Sequence, residues 1–240
     1  MYEALGEQAT KKESIDYHHS HVIRGLTPNT TYEWKVRGIN CDGNNGFTEW
    51  SEWAFFTTEE LTTVTQTIEL IEGWNDISIY LEIGDEEEAI AMLDQLKEAL
   101  GEDGLIISGD DGFTMYEDEE WFGDLDEVGV TNEQSYSILV SNDCTVVLQG
   151  VLADPANHPI TINPGWNMIG FPYSEEVEVE TALSEFEAED LDMLVSNDGF
   201  TMYEDEEWFG DIVTMVPGQG YLYFSNSSET KIFFMHLKKH

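Results

Sequence analysis

A fourteen-residue segment occurs twice in this chain without a single difference. Residues 111–124 and residues 198–211 both read DGFTMYEDEEWFGD, whereas the sequence around each copy is only loosely alike. Chance does not produce an identical repeat of this length, so the two copies arose by duplication. The chain must therefore fold in a way that places the same segment in two similar environments.

The repeated segment predicts a β-hairpin with an acidic tip. Bulky and small side chains alternate over residues 113–116, and the aromatic and β-branched members favour a strand. Trp121 and Phe122 restore the apolar character before Gly123 interrupts it. We predict that the four residues between these stretches form the hairpin loop in each copy. The loop carboxylates are Glu117, Asp118, Glu119 and Glu120, and then Glu204, Asp205, Glu206 and Glu207.

The hairpin pattern allows a structural and a functional interpretation. In the structural one, Trp121 and Phe122 pack inward and the carboxylates are only solvated. In the functional ones, the tip is a Ca²⁺ site, a patch for a basic partner, or a sugar site floored by tryptophan. The candidate ligand-binding residues are Asp111, Tyr116, Glu117, Asp118, Glu119, Glu120, Trp121, Asp198, Tyr203, Glu204, Asp205, Glu206, Glu207 and Trp208. The candidate metal ligands are Asp118, Glu120, Asp124, Asp205, Glu207 and Asp211, although their spacing does not match an EF-hand loop.

The charge balance excludes some partners and leaves others open. Fifty acidic against nine basic residues give a formal net charge of -41, so nucleic acid is not an expected partner, because phosphate contacts need a basic face. The chain is nevertheless expected to fold, since 41% of its residues are hydrophobic. No apolar run approaches the length of a membrane-spanning helix, and no membrane insertion is expected. No cofactor is certain from the sequence, and calcium is the one that the acidic tips suggest.

The first part of the chain resembles a fibronectin type III domain. Residues 25–37 join a Pro-Asn turn to a strand in which Tyr32, Trp34 and Val36 share one face. This order of leucine, proline turn and tyrosine is similar to the loop and sixth strand of such domains, and residues 49–58 are similar to the closing strand. The resemblance implies a β-sandwich of which only the last five or so strands are present. We therefore predict a partial fibronectin type III module with a half-open core over residues 1–58.

A second resemblance in this part concerns its tryptophans. Trp50 and Trp53 resemble the WSxW element of fibronectin-type modules in cytokine receptors, in which tryptophans stack with basic side chains. This resemblance implies that Lys35 and Arg37 stack on the two indoles. The nearby histidines His18, His19 and His21 are expected on an exposed strand face. Cys41 and Cys144 are expected in different domains and not to pair.

The rest of the chain predicts two homologous modules, at residues 66–150 and 159–235. Each begins with a strand and a GWN turn, at Gly73-Trp74-Asn75 and Gly165-Trp166-Asn167, and each ends with a Tyr-containing strand after residues 134 and 219. Asp85 and Gly101 are typical helix caps in the first copy, and the second copy keeps a shorter helix around Leu183. The fold class expected for the whole chain is mainly β with α+β character. We expect the two modules to pack as a pseudo-twofold pair, because one alone has little core.

The order GWN, helix, DGF…WFG and GQGY resembles a repeat of large secreted bacterial surface proteins, which often contain fibronectin-like modules. This resemblance implies an extracellular or cell-surface location, as part of a longer multidomain chain. We expect a non-catalytic adhesion scaffold that presents its paired acidic hairpins to a protein or glycan at a cell surface. The alternatives are a carbohydrate-binding module of a secreted enzyme, floored by Tyr116, Trp121, Tyr203 and Trp208, and a calcium-stabilised spacer.

Overall fold

The computed structural model describes residues 2–4, 7–11, 26–38, 48–58 and 60–235. The histidines at 18, 19 and 21 and Cys41 lie outside these residues, whereas Cys144 is a free thiol. The chain divides into two compact units, Met1–Thr62 and Thr63–His240. Within the described residues, no helix is both long enough and apolar enough to cross a bilayer. Most of the regular secondary structure is β-strand, so the predicted β-rich fold class is confirmed.

The described residues of the first unit form one antiparallel sheet of four strands. The strands are β1 Tyr2–Ala4, β2 Glu7–Lys11, β3 Thr31–Trp34 and β4 Ala54–Thr57, in the order β2-β1-β3-β4. Tyr32 is buried, stacks on Phe56, and accepts a 2.7 Å hydrogen bond from the backbone N–H of Thr27 to its hydroxyl. This contact is the tyrosine corner of immunoglobulin-like sandwiches. Trp34 and Val36, which were predicted to share its face, are 39% and 50% exposed.

The predicted stacking of basic side chains on the tryptophans is present in this unit. Lys35 Nζ lies 4.1 Å from the ring centroid of Trp53 and 4.9 Å from that of Trp50. Arg37 lies over the Trp50 ring at 4.5 Å. Each such contact contributes roughly 0.5–1 kcal/mol at an exposed site, so the cluster stabilises this edge of the sheet.

The first predicted module contains a five-stranded sheet, a strand pair and a long helix. Its strands are β5 Val64–Leu70, β6 Gly73–Ile77, β7 Gly104–Gly109, β8 Gly112–Glu117, β9 Glu120–Gly123, β10 Tyr136–Val140 and β11 Cys144–Gly150. The large sheet has the order β6-β10-β7-β8-β9, and β5 pairs with β11. Helix α1, Glu86–Leu100, begins at Asp85, which accepts the N–H of Glu88, and ends at Gly101, as predicted. A short helix α2, Leu125–Val128, follows the hairpin.

The second predicted module has a sheet of the same order. Its strands are β12 Ile160–Ile162, β13 Gly165–Ile169, β14 Val177–Glu178, β15 Met193–Ser196, β16 Gly199–Glu204, β17 Glu207–Gly210, β18 Thr214–Met215, β19 Tyr221–Ser225 and β20 Lys231–Phe233. The large sheet runs β13-β19-β15-β16-β17, which repeats the first sheet strand for strand. Helix α3, Val179–Ala182, replaces the long α1, so the shortening predicted from the sequence falls in this helix.

The two sheets meet through equivalent hydrogen bonds. Ser78 donates its N–H to the carbonyl of Gly218, and Gly170 donates its N–H to the carbonyl of Glu133, both at 3.0 Å. A Cβ on Gly170 would lie 1.9 Å from the carbonyl oxygen of Asn132, so the backbones touch at this point. Each sheet nevertheless has its own hydrophobic cluster, one between residues 68 and 148 and one between residues 160 and 235. The module boundaries themselves stay a prediction, because both lie within one compact unit.

Candidate functional site

The two acidic hairpins have the same backbone conformation. In the first, Glu117 pairs with Glu120 and Tyr116 with Trp121; in the second, Glu204 pairs with Glu207 and Tyr203 with Trp208. The turn itself is therefore only two residues long, which corrects the predicted four-residue loop. The strands continue to the outer two glutamates because their backbone groups complete the ladder.

Both turns place carboxylate side chains in a left-handed backbone region. The φ angles are 53° at Asp118 and 68° at Glu119, and 52° at Asp205 and 67° at Glu206. Positive φ at both central residues is the pattern of the type I′ turn, for which Asn-Gly is the favoured sequence. A glutamate in this region costs roughly 1 kcal/mol, and both hairpins keep it. All eight tip carboxylates are exposed.

The aromatic residues beside the tip divide between the two faces of the sheet. Trp121 packs against the first hydrophobic cluster and Trp208 against the second. Phe122 and Phe209 point to the opposite face and are 46% and 51% exposed. The prediction that Trp121 and Phe122 both pack inward is thus wrong for Phe122, because neighbouring strand residues face opposite sides of a sheet.

The proposed sugar platform does not have the geometry that it needs. Tyr116 and Trp121 have ring centroids 5.5 Å apart and planes 48° apart, and Tyr203 and Trp208 are 5.2 Å and 56° apart. All four are half-buried against their sheets. Tilted, half-buried rings do not present the flat exposed face on which a sugar ring stacks.

Asp111 and Asp198 lie at the base of each hairpin, away from the tip. Gln134 donates a 2.6 Å hydrogen bond from its amide to Asp111, and Gln219 donates one of 2.7 Å to Asp198. These bonds fasten each hairpin base to the loop before the Tyr-containing strand. The structure therefore separates these two candidate residues from the tip carboxylates by the length of a six-residue strand, roughly 20 Å.

The candidate metal ligands are divided in the same way. Asp118 and Glu120 lie at the tip, while Asp124 lies at the base beside Gly112, and the second copy repeats this with Asp205, Glu207 and Asp211. Four residues of strand β9 span roughly 13 Å, beyond the reach of one ion. Among the described residues, no three His, Cys, Asp or Glu side chains are grouped to hold a metal ion. Calcium binding stays a prediction.

Basic side chains are scarce around the hairpins, and the two lysines of residues 60–235 each form an ion pair with a carboxylate. Residues 60–235 contain 41 acidic residues and two lysines. Lys97 lies 2.5 Å from Asp126, and Lys231 lies 2.8 Å from Glu189 and donates to the carbonyl of Glu187. The tip carboxylates therefore face solvent without a cation of their own in this part of the chain.

Sequence reasoning missed the residues on the outer face of each sheet. Trp74 and Trp166, the central letters of the two GWN turns, are each 55% exposed. The available signal was the alternation along each strand, since Phe113 and Met115 must face opposite to Thr114 and Tyr116. That signal does not tell which of two apolar faces is buried.

Residues 3–58 match the family model of the purple acid phosphatase N-terminal domain, which has a fibronectin type III-like β-sandwich fold. The match covers under a quarter of the chain. No curated protein and no solved structure is significantly similar to this chain. The fibronectin-like fold predicted for residues 1–58 is confirmed. The expectation that the chain is not an enzyme is wrong, because the matched domain belongs to a family of enzymes.

Proposed function

We propose that this chain is the target-binding portion of a modular extracellular protein, and that its two acidic hairpins bind a partner that carries Lys or Arg. The phosphatase-type N-terminal domain supports a multidomain protein with a catalytic activity. The order GWN, DGF…WFG and GQGY, similar to that of secreted bacterial surface proteins, supports a location outside the cell.

One observation carries the proposal. Glu119 and Glu206, which follow Asp118 and Asp205 in the turns, occupy a position with positive φ that favours Gly. Backbone strain of this kind is found mainly at functional sites. Neutral residues would remove the repulsion among four neighbouring carboxylates, and Gly in the turn would remove the backbone strain. Both copies nevertheless keep acidic residues with side chains at these positions.

Two hairpins on one folded unit also suit a partner with repeated basic sites. When one hairpin is bound, the second encounters its site at a high effective concentration, so the apparent affinity rises without new contacts. Attraction between exposed charges weakens as salt screens it, and binding is expected to fall steeply with ionic strength.

The test neutralises the turn without changing its shape. The variant combines Asp118→Asn, Glu119→Gln, Asp205→Asn and Glu206→Gln. A matched control removes the same number of charges from exposed positions elsewhere, with Asp94→Asn, Glu98→Gln, Glu180→Gln and Asp190→Asn. Affinity for a lysine-serine peptide is measured by calorimetry at low and at moderate salt.

The hairpin variant is expected to bind this peptide roughly tenfold or more weakly than the control variant. An equal loss in both variants would mean that only the net charge attracts the peptide, and the hairpins would then have no special role.

A further inference from the structure

An apolar row crosses the whole outer face of the first five-stranded sheet. Trp74 on β6 pairs with Leu139 on β10, which pairs with Ile106 on β7. Ile106 pairs with Met115 on β8, and Met115 with Phe122 on β9. Directly paired residues in antiparallel strands project to the same side, so these five side chains form one continuous line.

The second sheet has the same row with different residues. Trp166 pairs with Phe224, Phe224 with Met193, Met193 with Met202, and Met202 with Phe209. The rings of Trp166 and Phe224 lie 5.2 Å apart. Each sheet thus carries an outward row that begins with a tryptophan and ends with a phenylalanine about half exposed.

The adjacent row differs between the copies. In the second sheet it consists of Met168, Leu222, Val195 and Phe200, which widens the apolar face. In the first sheet the corresponding positions are Asp76, Ser137, Ser108 and Phe113. Asp110 of the first copy accepts the N–H of Met168 at 3.2 Å, so the turn after β7 contacts strand β13 of the second sheet.

The exposed tryptophans are not needed for the turn in which they occur. Gly73 supplies the positive φ of 105°, and Asn75 closes the turn through three hydrogen bonds to the backbone of Ile71 and Gly73. Asn167 repeats these bonds in the second copy. Trp74 has more than half of its surface in water, and a smaller polar side chain would serve the turn equally well.

Carboxylates lie beside these rows on the same face. Glu117 and Glu120 continue the alternation of Met115 and Phe122, so they project from the outer face next to the end of the first row. Glu204 and Glu207 do the same beside Met202 and Phe209. Neither lysine of residues 60–235 belongs to these rows, and both are held by acidic partners.

We propose that the outer faces of the two five-stranded sheets dock a partner segment that combines apolar side chains with Lys or Arg, such as a basic amphipathic helix. The apolar rows match its hydrophobic stripe, and the carboxylates at their ends match its positive charges. Methionine and aromatic side chains adapt to such stripes and suit a surface of this kind. A second copy of this chain is a poor occupant, because two chains of net charge -41 repel each other.

This inference deepens the proposed function and rests on it, since both assign a cationic partner to the same unit. It adds an apolar contact that a purely electrostatic site does not make. The two are therefore separated by variants that change the apolar rows while leaving every charge in place.

The probe is an 18-residue peptide of Leu and Lys, without tryptophan, arranged as an amphipathic helix. Two comparison peptides replace Lys by Glu or Leu by Ser. The full chain is compared with Trp74→Ser combined with Trp166→Ser, and with a control that combines Val147→Ser and Ile232→Ser, both exposed strand residues of other sheets. Calorimetry gives the affinity. Because the chain has seven tryptophans, burial of Trp74 and Trp166 is read as the part of the change in emission and acrylamide quenching that the tryptophan double variant loses.

The Leu-Lys peptide is expected to bind with a blue shift of emission and reduced quenching. The tryptophan double variant should bind it roughly tenfold or more weakly, and the control variant should bind it unchanged. Equal affinity for the Leu-Lys and Ser-Lys peptides without an emission change would overturn the inference. So would equal binding of the Glu peptide, or tryptophan-dependent self-association in sedimentation.

The outcomes also separate this inference from the function on which it rests. If the hairpin-neutralised variant loses binding while the tryptophan variant does not, the acidic tips act alone and the docking face is wrong. If neither variant loses binding, both assignments are wrong.

Discussion

The imidazole Nδ1 of His158 lies 2.9 Å from Oε1 of Glu133, and its Nε2 lies 3.2 Å from Oε2 of Glu82. His158 is 4% exposed and belongs to the segment that joins the two sheet-containing halves. Burial of the imidazole would lower its pKa, but the hydrogen bonds to Glu133 and Glu82 outweigh burial and raise the pKa to about 9. The bond to His158 likewise lowers the pKa of Glu82.

The two hydrogen bonds from His158 to Glu133 and Glu82 predict that the protein loses stability at alkaline pH. The folded pKa of His158 exceeds the unfolded value of about 6.5, so its contribution is complete below that pH and disappears as pH rises through about 9. Because both glutamates are about one-third exposed, we expect a contribution on the order of 2 kcal/mol. Urea unfolding at pH 6.5 and 9.5 should show this difference for the natural chain and not for His158→Gln. Parallel pH profiles would contradict it.

Because the turn residues have positive φ angles, we predict that residues that favour positive φ stabilise the hairpin. Replacing Asp118 by Asn and Glu119 by Gly should raise the free energy of unfolding by about 1 kcal/mol, because the φ angles of 53° and 68° suit Asn and Gly. Glu120→Gln is the control, since it removes a carboxylate from a strand position without altering the turn. A thermal melt of each variant measures the effect. An equal gain from Glu120→Gln would assign the effect to charge repulsion.

The contact between the sheets predicts that Gly170 does not tolerate a side chain. In Gly170→Ala the new Cβ would meet the Asn132 carbonyl oxygen at 1.9 Å, and backbone on both sides would have to move. We expect a loss of roughly 2 kcal/mol or more in the free energy of unfolding. Gly84→Ala is a suitable control, because its Cβ would meet only the ends of flexible side chains, the carboxylates of Glu88 at 3.2 Å and Glu82 at 3.9 Å. Denaturant unfolding that leaves Gly170→Ala as stable as Gly84→Ala would show that the halves do not pack as described.

A tyrosine hydroxyl accepts a backbone N–H at the same place in both five-stranded sheets, and we predict that its removal lowers the free energy of unfolding by a different amount in each. The hydroxyl of Tyr136 accepts the N–H of Thr131, and that of Tyr221 accepts the N–H of Val216, both at 2.7 Å. Tyr221 also donates to the Gln219 side chain at 2.8 Å. Tyr136→Phe should lower the free energy of unfolding by about 1–2 kcal/mol. Tyr221→Phe should lower it by more, because a second hydrogen bond is lost there. Burial raises the pKa of Tyr221 to about 12, so the phenol stays protonated in such unfolding experiments.

Local sequence signals predicted several elements of this fold correctly. The hairpin, the cap at Asp85 and the stop at Gly101 follow from backbone chemistry within a few residues, and the structure has all three. The tyrosine-containing strand of the fibronectin-like unit also follows from a local order of turn and strand residues. Such features are predictable because neighbouring residues alone determine them.

Other features depend on contacts between distant parts of the chain. Alternation in the repeated segment shows that Tyr116 and Phe122 face opposite sides, but both faces are apolar. The side that is covered is decided by elements distant in sequence or beyond the hairpin, which include α1, α2 and the β5–β11 pair. His158 has no local signal either, since its two carboxylate partners lie 25 and 76 residues away. The candidate tip residues were found from sequence, whereas the apolar rows required the register of five strands.

The pairing of Lys97 and Lys231 with carboxylates has a consequence for proteolysis. Trypsin needs a Lys or Arg whose side chain enters its specificity pocket, and residues 60–235 offer only these two. One lies within helix α1 and the other in strand β20, and both are held by acidic neighbours. Limited digestion should therefore remove the lysine- and arginine-bearing sequence before residue 38 and leave the paired sheets as a resistant fragment.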